Sequence, residues 1–530
     1  MRGLVVIILA MAAGASSEYI PIGRNCSDPD DLLGTDITEC GSVLICDSGH
    51  CRECAMDAEC QEVNGPEYAC IRFDKKGDRI CAHKHLLPPD SRDYAAILLS
   101  ILLCALSAGG GIGGGGLLLP MLILLLAFTP HEASPLANAT VLGGAVANLA
   151  HYAGQLHPSG RRALISYEVA LMMEPMTLAG ALAGVLLNKI FPGWLITILL
   201  VLVLGITTQR TLKKGLDAWR KESAAASIAA ANPEAAASLL GSPNPPGGDR
   251  GGRNAGGDSG NAGGDSGNAG GKGEVTGGGA AKNASLAAVL AEEASHPLYD
   301  VATLVLSLLA CTALSVLRGP NRQQSPLRIR CGSREYWLAL SLELCVLLGV
   351  SVATRRTLLR RHERRKAAGY DFLPDDVMWT PFTSFAYPLL CAIAGLCAGL
   401  FGIGGGIVKG PLMLEMGMLP QVASATSAFM IFFTAASATL QFAMLGDIRP
   451  VYACTLFLAG LVGTAVGQRV VSVLLRRSGR QSLIVLILAF IIGGSTIVMS
   501  IVGVFNFMDE LKEGKSQGFR PLCESSLVGD

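Results

Sequence analysis

Apolar residues along this chain fall into long runs that short polar stretches separate. Several runs approach the ~20 residues that a helix needs to cross the hydrocarbon core of a bilayer. Two of them, 117–128 and 407–418, are too short to cross, and because each follows a run of glycines we predict that each is half of a broken helix. The pattern therefore predicts an all-α polytopic membrane protein. In chain order the predicted segments are 94–108, 117–128, 134–155, 164–189, 194–209, 299–317, 335–352, 383–400, 407–418, 421–444, 450–471 and 482–504.

The composition agrees with this class. Half of the 530 residues are hydrophobic and 16% are charged, whereas a soluble protein carries about a quarter charged residues. Basic and acidic residues balance at 42 each, so the net charge predicts neither nucleic acid nor another polyanion as a partner. The sequence has no Walker-type loop and no Ser/His/Asp or Cys/His arrangement with motif support. We therefore predict no enzyme and no cofactor, and the lipid bilayer is the first predicted partner.

The first residues have the form of a secretory signal peptide, which we predict over 1–17. Arg2 is the positive start, an apolar core covers 4–13, and the residues at 14–17 are small. The core is too short to span a bilayer. An uncleaved first anchor is the alternative.

A cysteine-rich lumenal or extracellular module is predicted over 18–90. An even number of cysteines behind a signal peptide indicates a disulfide-bonded module, whose pairing the sequence leaves open. The alternative is a zinc site through the Cys-x-x-Cys of 51–54 with His50, His83 or His85, but an oxidising compartment disfavours free thiolates. We expect disulfides and no metal. The cysteines are Cys26, Cys40, Cys46, Cys51, Cys54, Cys60, Cys70 and Cys81.

Basic residues in the loops predict the orientation, since they are enriched on the cytoplasmic side. The stretch 210–298 begins with lysines and continues as a Gly/Asn/Asp/Ser repeat, which we predict to be a disordered cytoplasmic linker. The arginine-rich loop 354–381 is also predicted to be cytoplasmic. Five crossings then precede the linker, which places the N-terminus in the lumen or outside the cell, in the plasma membrane or an endomembrane. We therefore expect a glycan at Asn25 and none at Asn283.

The remaining boundaries follow from the same pattern. A first transmembrane repeat covers 91–209, a transmembrane hairpin 299–353, a second repeat 382–506 and a C-terminal tail 507–530. One loop of the hairpin contradicts the charge rule, because the orientation places its arginines outside. Those arginines are Arg318, Arg322, Arg328, Arg330 and Arg334.

The two repeats are identified by a shared motif. Gly-Ile-Gly-Gly-Gly at 111–115 recurs at 402–406, and a proline follows each at the same distance, Pro120 and Pro411. The spacing is 291 residues in both cases. Seven predicted crossings separate the two glycine loops, so the repeats have opposite directions. Inverted repeats with broken helices are typical of secondary transporters, whose substrates bind near the bilayer midplane.

The glycine loops and the small, hydroxylated stretches after them are the predicted substrate site. Non-helical backbone at membrane depth is tolerated where it faces protein or a wet cavity, and free N–H groups at the start of a half-helix attract an anion. The alternative is close helix packing through small residues. The candidate residues are Gly111, Gly113, Gly114, Asn138, Thr140, Gly402, Gly404, Gly405, Lys409, Ser424 and Thr426.

Two charged residues inside apolar segments are further candidates. Lys409 follows the second glycine loop, where it either neutralises an anion or extends from a helix end to the interface. Glu174 lies in the middle of 164–189. A carboxylate at that depth is a candidate for proton binding or ion coupling, and a structural partner for a neighbouring helix is the alternative.

The sequence resembles the TauE/SafE sulfite exporters, also called 4-toluene sulfonate uptake permeases, in their plant and protist branch. The matching motifs include the two glycine loops, Tyr-Glu-Val-Ala-Leu-Met-Met-Glu-Pro-Met at 167–176 and Pro-Gln-Val-Ala-Ser-Ala-Thr-Ser at 420–427. The resemblance implies a membrane carrier of sulfite or organosulfonate anions. This sequence departs from the pattern at Glu174, where the relatives usually have an amide, at Lys409, where they have an apolar residue, and at Asn138, where they often have lysine.

Two functions of different classes remain. The first is a secondary transporter of a small anion, driven by an ion gradient or by the gradient of the substrate. The second is a membrane receptor or scaffold that binds a partner through the cysteine-rich module. The matched glycine loops favour the transporter.

Overall fold

The computed structural model describes residues 45–47, 50–64, 67–72, 79–84, 86–108, 114–158, 160, 162–231, 277–319, 329, 331–370, 372, 376–478, 482–512 and 519. Several predicted features lie outside the described residues. They are the signal peptide, Asn25, Cys26, Cys40, most of the glycine run that contains Gly111 and Gly113, and much of the linker.

The cysteine-rich module forms two small antiparallel hairpins and one helix. Its elements are β1 (Ile45–Asp47), β2 (His50–Arg52), α1 (Asp57–Asn64), β3 (Tyr68–Arg72) and β4 (Arg79–His83).

Disulfides join α1 and its flanks to the second hairpin. Cys54 is bonded to Cys70, and Cys60 is bonded to Cys81. The zinc alternative required Cys54 as a thiolate and His83 as a possible ligand. Cys54 is oxidised instead, and the His83 ring bonds the carbonyl oxygen of Leu126. The Cys54 sulfur and the His83 ring therefore both have other partners.

In the part of the chain that the structure describes, twelve further helices match the twelve predicted apolar segments one for one, and eight of these helices are long and apolar enough to cross a membrane. They are α2 (Ser91–Ala108), α3 (Gly115–Leu126), α4 (Pro130–Tyr152), α5 (Tyr167–Ile190), α6 (Gly193–Ala231), α7 (Gly277–Arg318), α8 (Arg334–Ala367), α9 (Thr383–Phe401), α10 (Gly406–Glu415), α11 (Pro420–Met444), α12 (Pro450–Ser478) and α13 (Ser482–Lys512).

Three helices extend far beyond the segments that the apolar pattern predicts, and α12 and α13 extend beyond theirs by about two turns. The sequence assigned 210–298 to a linker, yet α6 continues to Ala231 and α7 begins at Gly277. The alanine-rich composition of both extensions explains this, because alanine has the highest helix propensity. Likewise α8 continues into the predicted basic loop as far as Ala367. Ion pairs fix this extension, since Arg361 pairs with Asp300 and Arg365 with Glu168.

The packing of the helices repeats with the sequence. Helices α2–α6 form one set and α9–α13 the other, and α7 and α8 form a hairpin between them. Helix α5 packs on α9 as α12 packs on α2, and α5 packs on α11 as α12 packs on α4. The pairs α4–α11 and α6–α13 join equivalent helices of the two sets. This pattern of neighbours is that of a twofold pseudo-symmetry.

Close contacts show the relative directions of the helices. A Cβ added to Gly180 would lie 2.0 Å from the Ala392 oxygen, and one added to Gly184 would lie 2.3 Å from the Leu396 oxygen. Both partner positions advance by four residues, so α5 and α9 are parallel. Glycines let the two backbones approach this closely, as in small-xxx-small packing.

The equivalent glycines of α12, Gly463 and Gly467, make the same contacts with Ile101 and Ala105 of α2, so α2 and α12 are also parallel. Helix α4 is parallel to α12, since Asn148 contacts Gln468 and the glycine at 460 contacts Thr140.

Helix α4 runs antiparallel to α9. Ser134 bonds the Leu400 carbonyl, whereas Asn138, one turn later, bonds the Ala398 carbonyl. Because α2 and α4 are both parallel to α12, α2 is antiparallel to its own equivalent, α9. The predicted inverted repeat is therefore confirmed by the contacts.

The two short helices are half-helices that meet inside the bundle. At 1.5 Å per residue, α3 and α10 are about 18 and 15 Å long, roughly half of the ~30 Å hydrocarbon core. A Cβ added to Gly115, the first residue of α3, would lie 2.4 Å from the Cα of Ile403. The start of one half-helix thus touches the loop that begins the other.

Contacts between the helix ends define two faces. One face carries the cysteine-rich module, and we call it the ectodomain face. There the His83 ring bonds the Leu126 carbonyl at 2.8 Å, and the His83 backbone carbonyl accepts a hydrogen bond from Arg449 at 2.8 Å. On the opposite face, which we call the linker face, Lys214 pairs with Glu415. Lys189 pairs with Asp447 on the ectodomain face, as the alternation of crossings requires.

The hairpin loop that contradicted the charge rule also lies on the ectodomain face. Cys331 of this loop is disulfide-bonded, which is typical of an oxidising compartment. Arg318, counted as a loop charge from the sequence, ends α7 instead, is 4% exposed and lies 3.6 Å from Glu343. A buried, paired arginine is not a free loop charge, which removes one of the five exceptions.

Candidate functional site

The second glycine loop turns the chain from α9 into α10 in a backbone conformation that favours glycine. Gly402, Gly404 and Gly405 have φ angles of 70°, 65° and 71°, values that side-chain-bearing residues rarely adopt. In the first repeat, Gly114 has a φ of 73° and caps α3 as Gly405 caps α10. The loops therefore share backbone geometry as well as sequence.

Lys409 lies one turn into α10, directly behind this loop. Its backbone N–H bonds the Gly405 carbonyl, and its side chain is 0% exposed. The alternative in which the lysine extends to the membrane interface is therefore wrong. The first N–H groups of a helix have no partner within the helix and carry partial positive charge. The ammonium and the start of α10 thus add positive potential in one place.

Glu174 of α5 is the partner of Lys409. The Lys409 Nζ donates to Glu174 Oε2 at 3.0 Å, and Glu174 is also 0% exposed. Thr434 of α11 completes the cluster, because its hydroxyl donates to Glu174 Oε1 at 2.6 Å and accepts from Lys409 Nζ at 2.7 Å. We call Lys409, Glu174 and Thr434 the charged triad. Each residue comes from a different helix.

The triad is electrically neutral as a whole but costly to break. Removing an ion pair from water costs several kcal/mol per ion, and only good geometry with extra hydrogen bonds offsets this. Thr434 supplies one such bond to each charged group. Removing one partner alone leaves a buried charge without compensation, which costs about 3–5 kcal/mol. The lysine and the glutamate are therefore constrained to change charge together or to acquire a new partner.

The other predicted site residues separate into two places. Asn138 is buried against the second glycine loop, where its Nδ2 bonds the Ala398 carbonyl at 3.4 Å and its Oδ1 has no hydrogen-bond partner within the described part of the chain. Thr140, also buried, bonds the Leu136 carbonyl of its own helix. Thr426 accepts a hydrogen bond from the backbone of Ser166 at the linker face.

Thr426 and Ser424 precede the triad along α11. Thr426 is eight residues before Thr434, about 12 Å along the helix, and Ser424 is half-buried. The structure thus brings Asn138, Lys409 and the second glycine loop to the middle of the bundle and leaves Ser424 and Thr426 nearer the linker face. Gly111 and Gly113 lie outside the described residues.

Sequence reasoning did not identify Thr434 as a site residue. A threonine inside an apolar helix ordinarily bonds the carbonyl four residues earlier, and Thr434 also lies 3.1 Å from the Met430 oxygen. Its position beside both charged groups depends on the packing of α11 on α5. The sequence could have indicated Thr434 only because it recurs at helical spacing with other polar residues of α11.

A neutral polar cluster lies beside the end of α2. Gln468 of α12 donates to Asn148 Oδ1 at 2.7 Å, and its Nε2 also lies 3.0 Å from the Ala108 carbonyl and 3.1 Å from the Tyr152 hydroxyl. Ala108 is the last residue of α2 before the first glycine run. Each glycine loop therefore has a buried polar group nearby, neutral at one and charged at the other.

Comparison with known proteins agrees with this architecture. The family model described as "Sulfite exporter TauE/SafE" matches residues 89–242 and 279–496. The chain is 29% identical over 396 residues to "Sulfite exporter TauE/SafE family protein 5" of Arabidopsis thaliana, covering 74% of this chain and 78% of that protein. It is 29% identical over 402 residues to "Sulfite exporter TauE/SafE family protein 3" of the same plant, covering 76% of each.

A bacterial protein matches a shorter region. "Probable membrane transporter protein YunE" of Bacillus subtilis (strain 168) is 33% identical over 82 residues, which are 14% of this chain and 30% of that protein. No solved structure matches the chain.

Proposed function

This chain belongs to the sulfite exporter TauE/SafE family of membrane transporters, and on that premise we propose that it is a secondary transporter that moves a small anion, sulfite or an organosulfonate, together with a proton. The anion binds between the two half-helices, next to Lys409. Glu174 carries the proton. The predicted absence of an enzymatic activity fits this role.

The observation that carries the proposal is a buried lysine at the start of a half-helix. An anion that enters the membrane loses its hydration, so it requires convergent hydrogen-bond donors. The Lys409 ammonium, the Nδ2 of Asn138 and the free N–H groups at the start of α10 are such donors. A sulfite or sulfonate group presents three oxygens, and such oxygens accept hydrogen bonds from several donors at once.

Charge balance connects the anion to a proton. Without substrate, Lys409 and Glu174 neutralise one another at a separation of 3.0 Å. An anion that takes Lys409 as its partner leaves Glu174 as an unpaired buried carboxylate, which is strongly unfavourable. A proton on Glu174 restores neutrality. Anion and proton therefore bind in the same step, and the proton gradient drives the anion.

Two of the three departures from the family pattern that the sequence resembles support this reading. They are Glu174 and Lys409, where the family pattern that the sequence resembles implies an amide and an apolar residue. In this structure the two departures are direct partners. A buried lysine requires a buried carboxylate, so the two belong to one functional change in the shared fold.

Transport in proteoliposomes tests the proposal. We expect counterflow of labelled sulfite by the wild-type protein, with proton movement reported by an internal pH dye. Lys409→Met should raise the apparent Kd for the anion about 10- to 100-fold, since a hydrogen bond to a charged group contributes about 1.5–3 kcal/mol. Glu174→Gln should retain counterflow but lose the accompanying proton.

Leu118→Met is the matched control, because Leu118 occupies the position of Lys409 in the first repeat, 291 residues earlier. It should transport normally. Taurine and sulfoacetate are tested in parallel with sulfite to identify the anion. Normal transport by Lys409→Met would refute the assigned site, and a wild-type protein that moves none of these anions would refute the transporter in favour of the receptor.

A further inference from the structure

A second buried carboxylate lies in the α7–α8 hairpin, outside both repeats. Glu343 of α8 is 1% exposed. Its Oε1 accepts hydrogen bonds from Ser315 at 2.8 Å and from the Cys311 thiol at 3.0 Å. Among the residues that the structure describes, none forms a hydrogen bond with its Oε2. A buried carboxylate oxygen without a donor is unusual, because such groups are almost always satisfied.

The cluster around Glu343 reaches α11. The Cys311 sulfur lies 3.6 Å from the Ser437 hydroxyl, which accepts a hydrogen bond from Gln441 at 3.0 Å. Ser437 is three residues after Thr434, so the two side chains are neighbours on the helix surface. Helix α11 thus carries one hydroxyl in the charged triad and the next one in the Glu343 cluster.

Arg318 is the charged side chain that faces Glu343, and it does not depend on the carboxylate alone. Its Nη1 lies 3.6 Å from Glu343 Oε2 without forming a hydrogen bond. The guanidinium lies 5.2 Å from the centre of the Tyr336 ring and ends α7. Aromatic faces and helix C-termini both stabilise cations, so Arg318 keeps two compensating partners when Glu343 becomes neutral.

We propose that Glu343 is a second proton-binding site, which passes protons between the ectodomain face and Glu174 through the hydroxyls of Ser437 and Thr434. This inference rests on the proposed proton-coupled function and adds the route of the proton. The depth of Glu343 fits this route. Arg318 and Tyr336 close the ectodomain end of the hairpin above it, and Thr434 lies deeper along α11.

The transfer needs no group beyond these side chains and water. A proton from the ectodomain face binds Glu343 Oε2 and neutralises the carboxylate. The Cys311 sulfur lies between Glu343 and Ser437, 3.0 Å from Glu343 Oε1 and 3.6 Å from the Ser437 oxygen. Glu343 therefore gives its proton to the Ser437 oxygen through water beside this thiol, while the Ser437 hydroxyl proton passes, directly or through water, to Thr434. Thr434 in turn gives its own proton to Glu174 Oε1, 2.6 Å away. Each hydroxyl gains one proton and loses one, and Glu343 returns to its charged form.

The surroundings favour a proton over a metal cation or a second anion. The Arg318 guanidinium beside Glu343 repels a metal cation. The carboxylate repels an anion, and its Oε1 is already bonded to two donors. A proton is the ligand that a carboxylate oxygen without a hydrogen-bond donor accepts without displacing Arg318.

Transport with and without a pH gradient tests the route. In proteoliposomes, Glu343→Gln should lower pH-gradient-driven uptake of labelled sulfite by about 100-fold, the lower range for a positioned proton-transfer group. Sulfite counterflow at equal pH should be unchanged, because the charged triad is intact. Ser437→Ala should show the same pattern, and Ser437→Thr should restore uptake. The matched control is Glu335→Gln, an exposed carboxylate on the same helix.

Infrared spectroscopy gives a readout that does not depend on transport. In the purified wild-type protein, a protonated-carboxyl band should titrate with pH, and Glu343→Gln should lose one component of it. Normal gradient-driven uptake by Glu343→Gln, or an unchanged infrared titration, would overturn this inference and leave the proposed function standing. A wild-type protein that moves no sulfite would overturn the proposed function, and the infrared band would still decide whether Glu343 binds a proton.

Discussion

The two glycine loops have the same backbone plan, but among the described residues only the second loop lies beside the charged triad, to which the second repeat contributes Lys409 and Thr434 and the first repeat contributes Glu174. At the position of Lys409, the first repeat has Leu118, which is fully buried. Beside the first loop, the equivalent of Thr434 is Gly144 on α4, and the equivalent of Glu174 is Phe457 on α12 of the second repeat. The half-helices are thus equivalent in shape and unlike in chemistry.

Three landmarks establish this correspondence. The glycine loops differ by 291 residues, which relates Lys409 to Leu118. The prolines that begin α4 and α11 are at 130 and 420, a shift of 290, which relates Thr434 to Gly144. The packed glycine pairs of α5 and α12 begin at 180 and 463, a shift of 283, which relates Glu174 to Phe457.

The reverse comparison gives the same result. The neutral pair Asn148 and Gln468 of the first loop corresponds, by the same shifts, to Ala438 and Val185. These two residues pack together in a small apolar cluster. Each half therefore replaces the polar contact of the other by an apolar contact at the same place. A symmetric backbone permits two equivalent conformations. The charged triad lies beside one glycine loop, so it supports the chemistry in only one of them.

The largest effect is expected where the shared backbone is broken. Gly404→Val should reduce transport below detection, because a Cβ there would lie 2.6 Å from Val141 and the φ of 65° strains any side chain. Counterflow of sulfite is the measurement. Gly410→Ala is the control in the same half-helix, since a Cβ at Gly410 meets no atom within 4 Å. Equal transport by both variants would mean that the loop is a packing element only.

Breaking the triad should have the next largest effect, on stability. Glu174→Gln or Lys409→Met alone should each destabilise the protein by about 3–5 kcal/mol, because each leaves the other charge buried and unpaired. The double variant should recover most of this loss. Thermal unfolding in detergent measures the cycle, and additive losses would show that the two charges do not interact.

Equal losses of stability are expected at positions where the two repeats have equivalent packing contacts and no polar site. Gly180→Leu and Gly463→Leu place atoms against the backbone oxygens of Ala392 and Ile101, which a Cβ would approach to 2.0 and 2.4 Å. Both should lower stability by about 1–3 kcal/mol, the usual cost of overpacking. Gly349→Leu, at an open position of α8, should be neutral. A large difference between the first two would show that the repeats do not share one packing.

The smallest effect concerns the ectodomain, which contacts the half-helix of the first repeat. The His83 ring stacks on Phe128 at 4.0 Å, and burial together with the nearby Arg449 lowers the pKa of His83. An undocked His83 binds protons more strongly than the docked one, with a pKa of about 6.5. Docking is therefore fully stable above about pH 6.5 and weakens as the pH falls, by about 1 kcal/mol per unit.

Hydrogen exchange at the end of α3 measures this docking. Protection of Leu126 and its neighbours should fall between neutral and mildly acidic pH. Glu132, Tyr68, Tyr452 and Lys84 also surround the ring, so His83→Phe, which keeps the stacking on Phe128, is the control. If the pH response persisted in that variant, another of these groups would be responsible.

The sequence predicted the helices well because their signals are local. Apolar run length placed all twelve segments, and a repeated glycine motif identified the two loops before their contact was known. The sequence named Lys409 and Glu174 separately but not as partners, since they are 235 residues apart and meet through the packing of α10 on α5 and α11. Arg318 was assigned to a loop because its burial depends on Glu343 of the next helix.

The α7–α8 hairpin enters and leaves the bundle at the linker face, so it adds an even number of crossings. Without the hairpin the second repeat would still be inverted, because the five helices of the first repeat already bring the chain to the opposite face. In topological terms the hairpin is neutral, because a chain without it would keep every other helix in the same direction. The proposed proton route through Glu343 is therefore separable from the ten helices of the two repeats, and a chain without the hairpin would have to supply its protons by another path.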